Sequence, residues 1–264
     1  MPSEETTTYL NRAPDIVLDN LKLGYGDNIV LEHVDVVLPA SKISVILGGS
    51  GGGKSTLLRH ILGLEHPMRG RIMINDRNIF DLDEKQGHDL RGEMGVLFQN
   101  GALLGSLTLG ENVALPLREH TELDEETIET LVRIKLNLVG LDKFMDYYPS
   151  QLSGGMRKRA GLARALVLDP NILLCDEPTS GLDPITAAEL DQLILDLHDT
   201  FNMTIVVVTH DLDSLFAIAD FVVMLHNGNV LFQGGLDALK KSKHEFIKQF
   251  LGREPGERHS PDFL

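Results

Sequence analysis

Residues 48–55 read GGSGGGKS, a full match to the pattern G-x-x-x-x-G-K-[ST], and residues 176 and 177 are an Asp-Glu pair closing the apolar run 172–175. The glycine-rich string suits a backbone that turns sharply and aims successive N–H groups at phosphate oxygens, where side chains would obstruct the approach. Gly48, Gly49, Ser50, Gly51, Gly52 and Gly53 form that cradle, with Lys54, Ser55 and Thr56 following it. Lys54 then reaches the outer phosphates, Ser55 offers a hydroxyl to Mg²⁺, and the next helix turns its positive end toward the anion. A string of this composition could also be a flexible linker. Its flanks argue otherwise, because 43–47 reads as a buried strand and 54–62 carries apolar residues at helical spacing. A nucleoside triphosphate is the expected ligand.

Hydrolysis at such a site needs an acid for the metal and a group that orients or deprotonates water. Asp176 is placed to bind the metal through water and Glu177 to act as general base. Gln99 and His210 also follow strand-like runs, at the edge where α/β sheets bind ligands. Tyr25 is either a turn aromatic or a ring that covers a nucleotide base, and the residues alone leave both readings open. Ser153-Gly154-Gly155 opens a helix and makes a second anion-binding terminus in a chain with one phosphate loop. That mismatch suggests a two-fold dimer packed head to tail, each phosphate loop facing the Ser-Gly-Gly terminus of the other copy.

The elements that must position these groups can be read in order. Runs 16–23 and 29–38 alternate as strands around a turn at 24–28, and 71–75 and 95–98 are further strands. Residues 101–168 read as a mostly helical insertion, including a helix from the N-cap Asp124, with Ile128, Leu131, Val132, Leu136 and Val139 as its buried stripe. Run 171–176 is a buried strand, Asp183-Pro184 starts a helix, 203–208 is a strand, and Asn227-Gly228 marks a type I′ hairpin between 221–225 and 230–232. Strands alternating with helices indicate an α/β sheet. The chain is read as one unit over 1–251 and a short flexible tail over 252–264.

The 264 residues carry 24 basic and 39 acidic side chains, a formal charge of −15, which disfavours nucleic acid and anionic lipid as direct partners. The run Arg157-Lys158-Arg159 is accordingly read as an interface or a solvated face. Cys175, the one cysteine, lies in an apolar run and reads as core, as in a reducing compartment. Neither a membrane-length apolar stretch nor a secretory leader is visible, so a cytosolic protein is expected, with any membrane association through a protein partner.

Taken together, these residues resemble the nucleotide-binding subunit of ABC transporters over nearly the whole chain. The resemblance implies a P-loop NTPase (RecA-like) core with an antiparallel β subdomain and a helical insertion. In its terms 48–55 is the Walker A motif, Gln99 the Q-loop and metal contact, 152–156 (LSGGM) the signature, 172–177 the Walker B motif with its glutamate, 180–183 (SGLD) the D-loop and His210 the switch histidine. It also implies ATP and Mg²⁺ as ligands, an ATP-sandwich homodimer with Asp183 at the nucleotide, and Tyr25 stacked on adenine. Residues 98–121, the signature helix with Met156, and DPIT at 183–186 are similar to the ATPases of Mla/Mce phospholipid transport systems. That implies an MlaE-like permease, an MCE-domain protein and in some members a STAS-domain protein as partners, at the cytoplasmic face of a bacterial inner membrane. The small and apolar segment 101–109 beside Gln99 is then the candidate groove for the permease. Two other readings are a transporter for a different small substrate and an ABC ATPase of a cytosolic assembly; the latter usually carry two nucleotide units or a long coiled coil, and neither is visible here.

Overall fold

The computed structural model describes residues 13–49 and 51–252. Ser50 and the expected tail beyond Gly252 therefore lie outside the described residues, as does the polar leader.

A ten-stranded sheet runs in the order β5-β4-β1-β2-β10-β9-β3-β8-β7-β6. Its first part is antiparallel. Strands β1 (Ile16–Tyr25) and β2 (Asn28–Leu38) pair through a tight turn, and β4 (Arg69–Ile74) and β5 (Arg77–Asn78) extend that edge. Strands β3 (Ile43–Gly48), β8 (Thr204–Val208), β7 (Ile172–Asp176) and β6 (Met94–Leu97) are mutually parallel, and β9 (Phe221–His226) pairs parallel with β3. Strand β10 (Asn229–Gly235) returns antiparallel on β9 through Asn227-Gly228, both at positive φ as a type I′ turn requires.

The central strands are buried on both faces and so read as continuous apolar runs rather than alternating ones. One face packs on α1 (Lys54–Ile61), through Leu57, Leu58 and Ile61. The other packs on α5 (Gly154–Ala165), α6 (Pro184–Phe201) and α7 (Leu212–Ile218), and that core continues into α3 (Leu109–His120) and α4 (Glu125–Leu138). Helices α3 to α5 lie between β6 and β7, where the helical insertion was expected. Asp124 caps α4 through Thr127 N, and Ile128, Val132, Leu136 and Val139 are buried while Leu131 is half-buried.

Several elements differ from the sequence expectation. Helix α2 (Glu84–Gly92) buries none of its residues, so no apolar stripe announces it; a capping box between Asp83 and Gln86 starts it. Helix α3 begins where the small and apolar segment 101–109 ends, within the expected helical insertion, and it too starts at a capping box, Thr108 with Glu111. Helices α8 (Leu236–Lys240) and α9 (Glu245–Gly252) close the described chain, and Gly252, expected to open the tail, ends α9.

Candidate nucleotide site

Strands β3, β8, β7 and β6 are consecutive neighbours, and each is followed at its C-terminal end by one chemical group. In that order these are the glycine-rich loop, His210, Asp176-Glu177 and Gln99. Sheet order alone therefore brings together groups that are far apart in sequence. Gly48, Gly49, Gly51 to Gly53, Lys54, Ser55, Thr56, Gln99, Glu177 and His210 line one cleft of about 750 Å³, closed by Val30 and Phe250.

The loop is built for a close anionic ligand. Gly51 and Gly53 sit at φ 74° and 86°, where a side chain is strained, and a Cβ on Gly53 would also meet Leu31 at 2.8 Å. Asp83, Thr108, Asp124, Ser153, Asp183 and Asp211 each cap a helix through the side chain, whereas α1 has no side-chain cap and no acid in its first turn. Its first N–H groups and its positive end are thus left for an anion. The nearly buried Lys54 ammonium donates to the carbonyls of Gly48 and Gly49 at 2.9 and 3.0 Å. Burial lowers its pKa, with the Glu177 and Asp176 carboxylates opposing that fall.

Ser55 Oγ donates to Asp176 Oδ1 at 3.3 Å, and burial raises the Asp176 carboxyl pKa against the pull of that bond. A hydroxyl, a carboxylate and the Gln99 amide are hard oxygen donors of the kind Mg²⁺ takes alongside phosphate oxygens. Among the described residues, no three His, Cys, Asp or Glu side chains cluster to hold a metal on their own.

Glu177 occupies the left-handed region, at φ 49°. Such a position in a non-glycine residue persists only where its surroundings hold it, at about 1–3 kcal/mol. Here the N–H donates to Val208 O at 2.8 Å, and the carbonyl accepts from Ser180 N at 3.2 Å, Ser180 Oγ at 2.8 Å and Lys158 Nζ at 3.2 Å. The carboxylate accepts from His210 Nδ1, with distances of 2.9 and 2.8 Å to its two oxygens.

Other expected site residues lie elsewhere. Ser153 caps α5 through Met156 N, and Gly154 and Gly155 face Leu182 and Thr186 at the start of α6 rather than the cleft. Asp183 caps α6, its carboxylate accepting from Ile185 N, Thr186 N and Thr186 Oγ1, bonds that lower its pKa. Tyr25, 45% exposed at the end of β1, is outside the cleft lining. The solvated-face expectation for Arg157-Lys158-Arg159 is corrected at Lys158, which is buried against the 177–180 turn. The half-buried Arg157 donates to Leu152 O, and the half-buried Arg159 reaches Glu189. Burial lowers the Lys158 pKa to about 8, with Glu177 opposing. Phe250 was missed, although Phe246, Ile247, Phe250 and Leu251 carry helical spacing that would have shown α9.

Residues 31–180 match the family model described as ABC transporter. The chain belongs to the ABC transporter ATP-binding family. It is an ABC ATPase, the ATP-binding subunit of a transporter. A relative named probable ribonucleotide transport ATP-binding protein mkl, from Mycobacterium tuberculosis, is 45% identical over 242 residues, 91% of this chain and 67% of the relative. The intermembrane phospholipid transport system ATP-binding protein MlaF of Escherichia coli K12 is 39% identical over 226 residues, 86% of this chain and 84% of MlaF. Among solved structures, a dimeric ATP-binding cassette (MJ0796) in a post-hydrolysis state with ADP and Pi has a TM-score of 0.76 at 32% identity, covering 84% of this chain and 98% of that one.

Proposed function

We propose that the chain is one of two identical ATPase subunits that close head to tail on two ATP molecules and drive a permease that moves phospholipid between bacterial membranes. The observation that carries the dimer is the separation of two anion-binding helix termini. The uncapped start of α1 lies in the cleft with Glu177, while Ser153 to Gly155 begin α5 and pack against the start of α6, so on this reading a second copy is needed to bring a signature terminus to each cleft. On this reading Asp183 lies at the joint, and Tyr25, on an open surface, stacks on adenine without needing a cavity. The unit is 1–251, with 101–168 as its helical subdomain and 101–109 as the groove for the permease.

In the cleft, the α1 terminus and Lys54 hold the β- and γ-phosphates. Mg²⁺, held by Ser55, Asp176 and Gln99, would neutralise charge on the phosphate oxygens. Glu177 takes a proton from the attacking water, and His210 keeps that carboxylate in place. Glu177→Gln is expected to lower kcat at least about 100-fold while ATP binding persists. Wild-type turnover in that variant would remove Glu177 from the role.

Phospholipid as cargo rests on the likeness to the phospholipid transport relatives and on 98–121. Phe98 and Leu104 are exposed beside Gln99, and the buried Asn112 side chain fixes their loop by accepting from Leu104 N and donating to the carbonyls of Leu104, Leu107 and Thr108. A rigid loop with exposed apolar side chains next to a metal contact suits a docking permease helix, through which the subunit would sit at the cytoplasmic face of the inner membrane. An MCE-domain protein, and in some assemblies a STAS-domain protein, would complete the complex. The more identical relatives named for ribonucleotide transport favour a second reading with that cargo, since an ATPase subunit need not touch what is carried. Purification of tagged chain from native membranes, with mass spectrometry of bound proteins and small molecules, separates them. Recovery of a permease with phospholipid supports the first, and a permease with ribonucleotide and no lipid overturns it.

A further inference from the structure

We propose that Lys158 is a positioning residue for hydrolysis, holding Glu177 in its left-handed conformation and tying it to the helix that begins with the Ser-Gly-Gly terminus. The proposal rests on the reading of Glu177 as general base. Lys158 is 5% exposed and forms no ion pair among the described residues. Its ammonium has three protons, and it has three acceptors: Glu177 O at 3.2 Å, Ser180 O at 2.6 Å and Ser180 Oγ at 3.2 Å. Burying a cation against neutral oxygens costs solvation that a leucine or methionine at the same place would not incur. What the lysine supplies in return is geometric. Ser180 Oγ and N converge on the same Glu177 carbonyl, so lysine and serine together clamp both ends of the 177–180 turn.

The clamp matters because the Glu177 backbone sits where most residues do not stay unaided. With the ammonium gone, the turn can relax, and relaxation at φ swings the carboxylate away from His210 and from the water it must deprotonate. Lys158 lies one turn into α5, four residues after Gly154. On the same helix, Arg164 donates to the carbonyls of Gly101 and Ala102, just after Gln99. Helix α5 therefore braces the segment beside the metal contact and the turn of the base at once. Displacement of its Ser-Gly-Gly end by the nucleotide of a second copy would be felt at the chain's own Glu177. Lys158 is not among the residues lining the cleft and acts through the backbone of the 177–180 turn.

The test uses the full-length chain and compares wild type with Lys158→Met, Lys158→Arg, Ser180→Ala and Glu177→Gln, measuring kcat, KM and the Kd of a fluorescent ATP analogue. Lys158→Met keeps the stem without donors and is expected to lower kcat at least about tenfold, with KM and Kd within about twofold. Lys158→Arg keeps the charge and donors and is expected to recover kcat to within about threefold of wild type. Ser180→Ala leaves the lysine packing intact and is expected to lower kcat about threefold, which keeps the proposal exposed even if Lys158→Met does not fold. Unchanged kcat in Lys158→Met or in Ser180→Ala would overturn it, as would a loss in Lys158→Met that falls on Kd and is not recovered by arginine. Glu177→Gln separates the two claims: if it turns over normally the reading of the base fails, and if it is inactive while Lys158→Met is normal, only the present proposal fails.

Discussion

At the scale of single residues, the site depends on side chains held in costly positions. Lys54 is nearly buried and Glu177 is left-handed; outside the cleft, Asp191 on α6 is a buried carboxylate whose Oδ1 has no hydrogen-bond partner among the described residues. Burial lifts the Asp191 pKa from 3.8 to about 6, with the Ser214 hydroxyl opposing and Asp211 reinforcing the rise. The folded state then binds this proton more tightly than the unfolded chain. Its stabilising effect is present at low pH, is lost as pH climbs from about 4 through about 6, and leaves a constant penalty above that. Asp191→Asn is therefore expected to match wild type near pH 4 and to be more stable by roughly 2–3 kcal/mol at pH 7.5. Denaturant midpoints at the two pH values decide it, and equal stabilities at pH 7.5 would contradict it. Lys54→Ala is expected to weaken ATP binding by at least about tenfold, since it removes the one cation of the cleft loop; titration calorimetry would show it. The motif residues were legible because their chemistry fixes type and spacing together. Lys158 and Phe250 were not, because a lysine among surface-like charges and a phenylalanine in a terminal helix acquire meaning only once distant backbone folds against them.

The element scale explains why the motifs converge. The four strands that carry them are parallel neighbours, and short turns at one edge leave no freedom about where the functional groups go. The apolar runs of those strands and the stripe of α4 could be read from pattern. Helix α2 could not, since it buries nothing, and α3 was hidden by Pro116 inside it and by a loop of small residues ahead of it. Close approach of α5 to β6 depends on glycine. A Cβ on Gly95 would meet Ala165 O at 2.3 Å, so backbone rather than a flexible side chain stands in the way. Gly95→Ala is expected to cost about 2 kcal/mol or more, read as a lower denaturant midpoint at unchanged slope. A variant within about 0.5 kcal/mol of wild type would show that the helix can move off the strand freely.

On the scale of the whole molecule, the proposed function makes one chain an incomplete site. Its cleft is lined by the glycine-rich loop, Gln99, Glu177 and His210, while Gly154 and Gly155 face Leu182 and Thr186. The formal charge of −15 would make two copies repel at long range, so the proposed association would be driven by local contacts and by the nucleotide's own bridging. The sequence suggested this pairing from a count of two anion-binding termini against one phosphate loop; which faces meet depends on how α5 packs against α6, and that is a property of the fold. Light scattering of Glu177→Gln across an ATP titration tests the pairing most directly, because the variant holds its ATP. The expected result is a doubling of mass with ATP and none with ADP. A variant that stays monomeric with its cleft saturated by ATP would contradict the two-copy site.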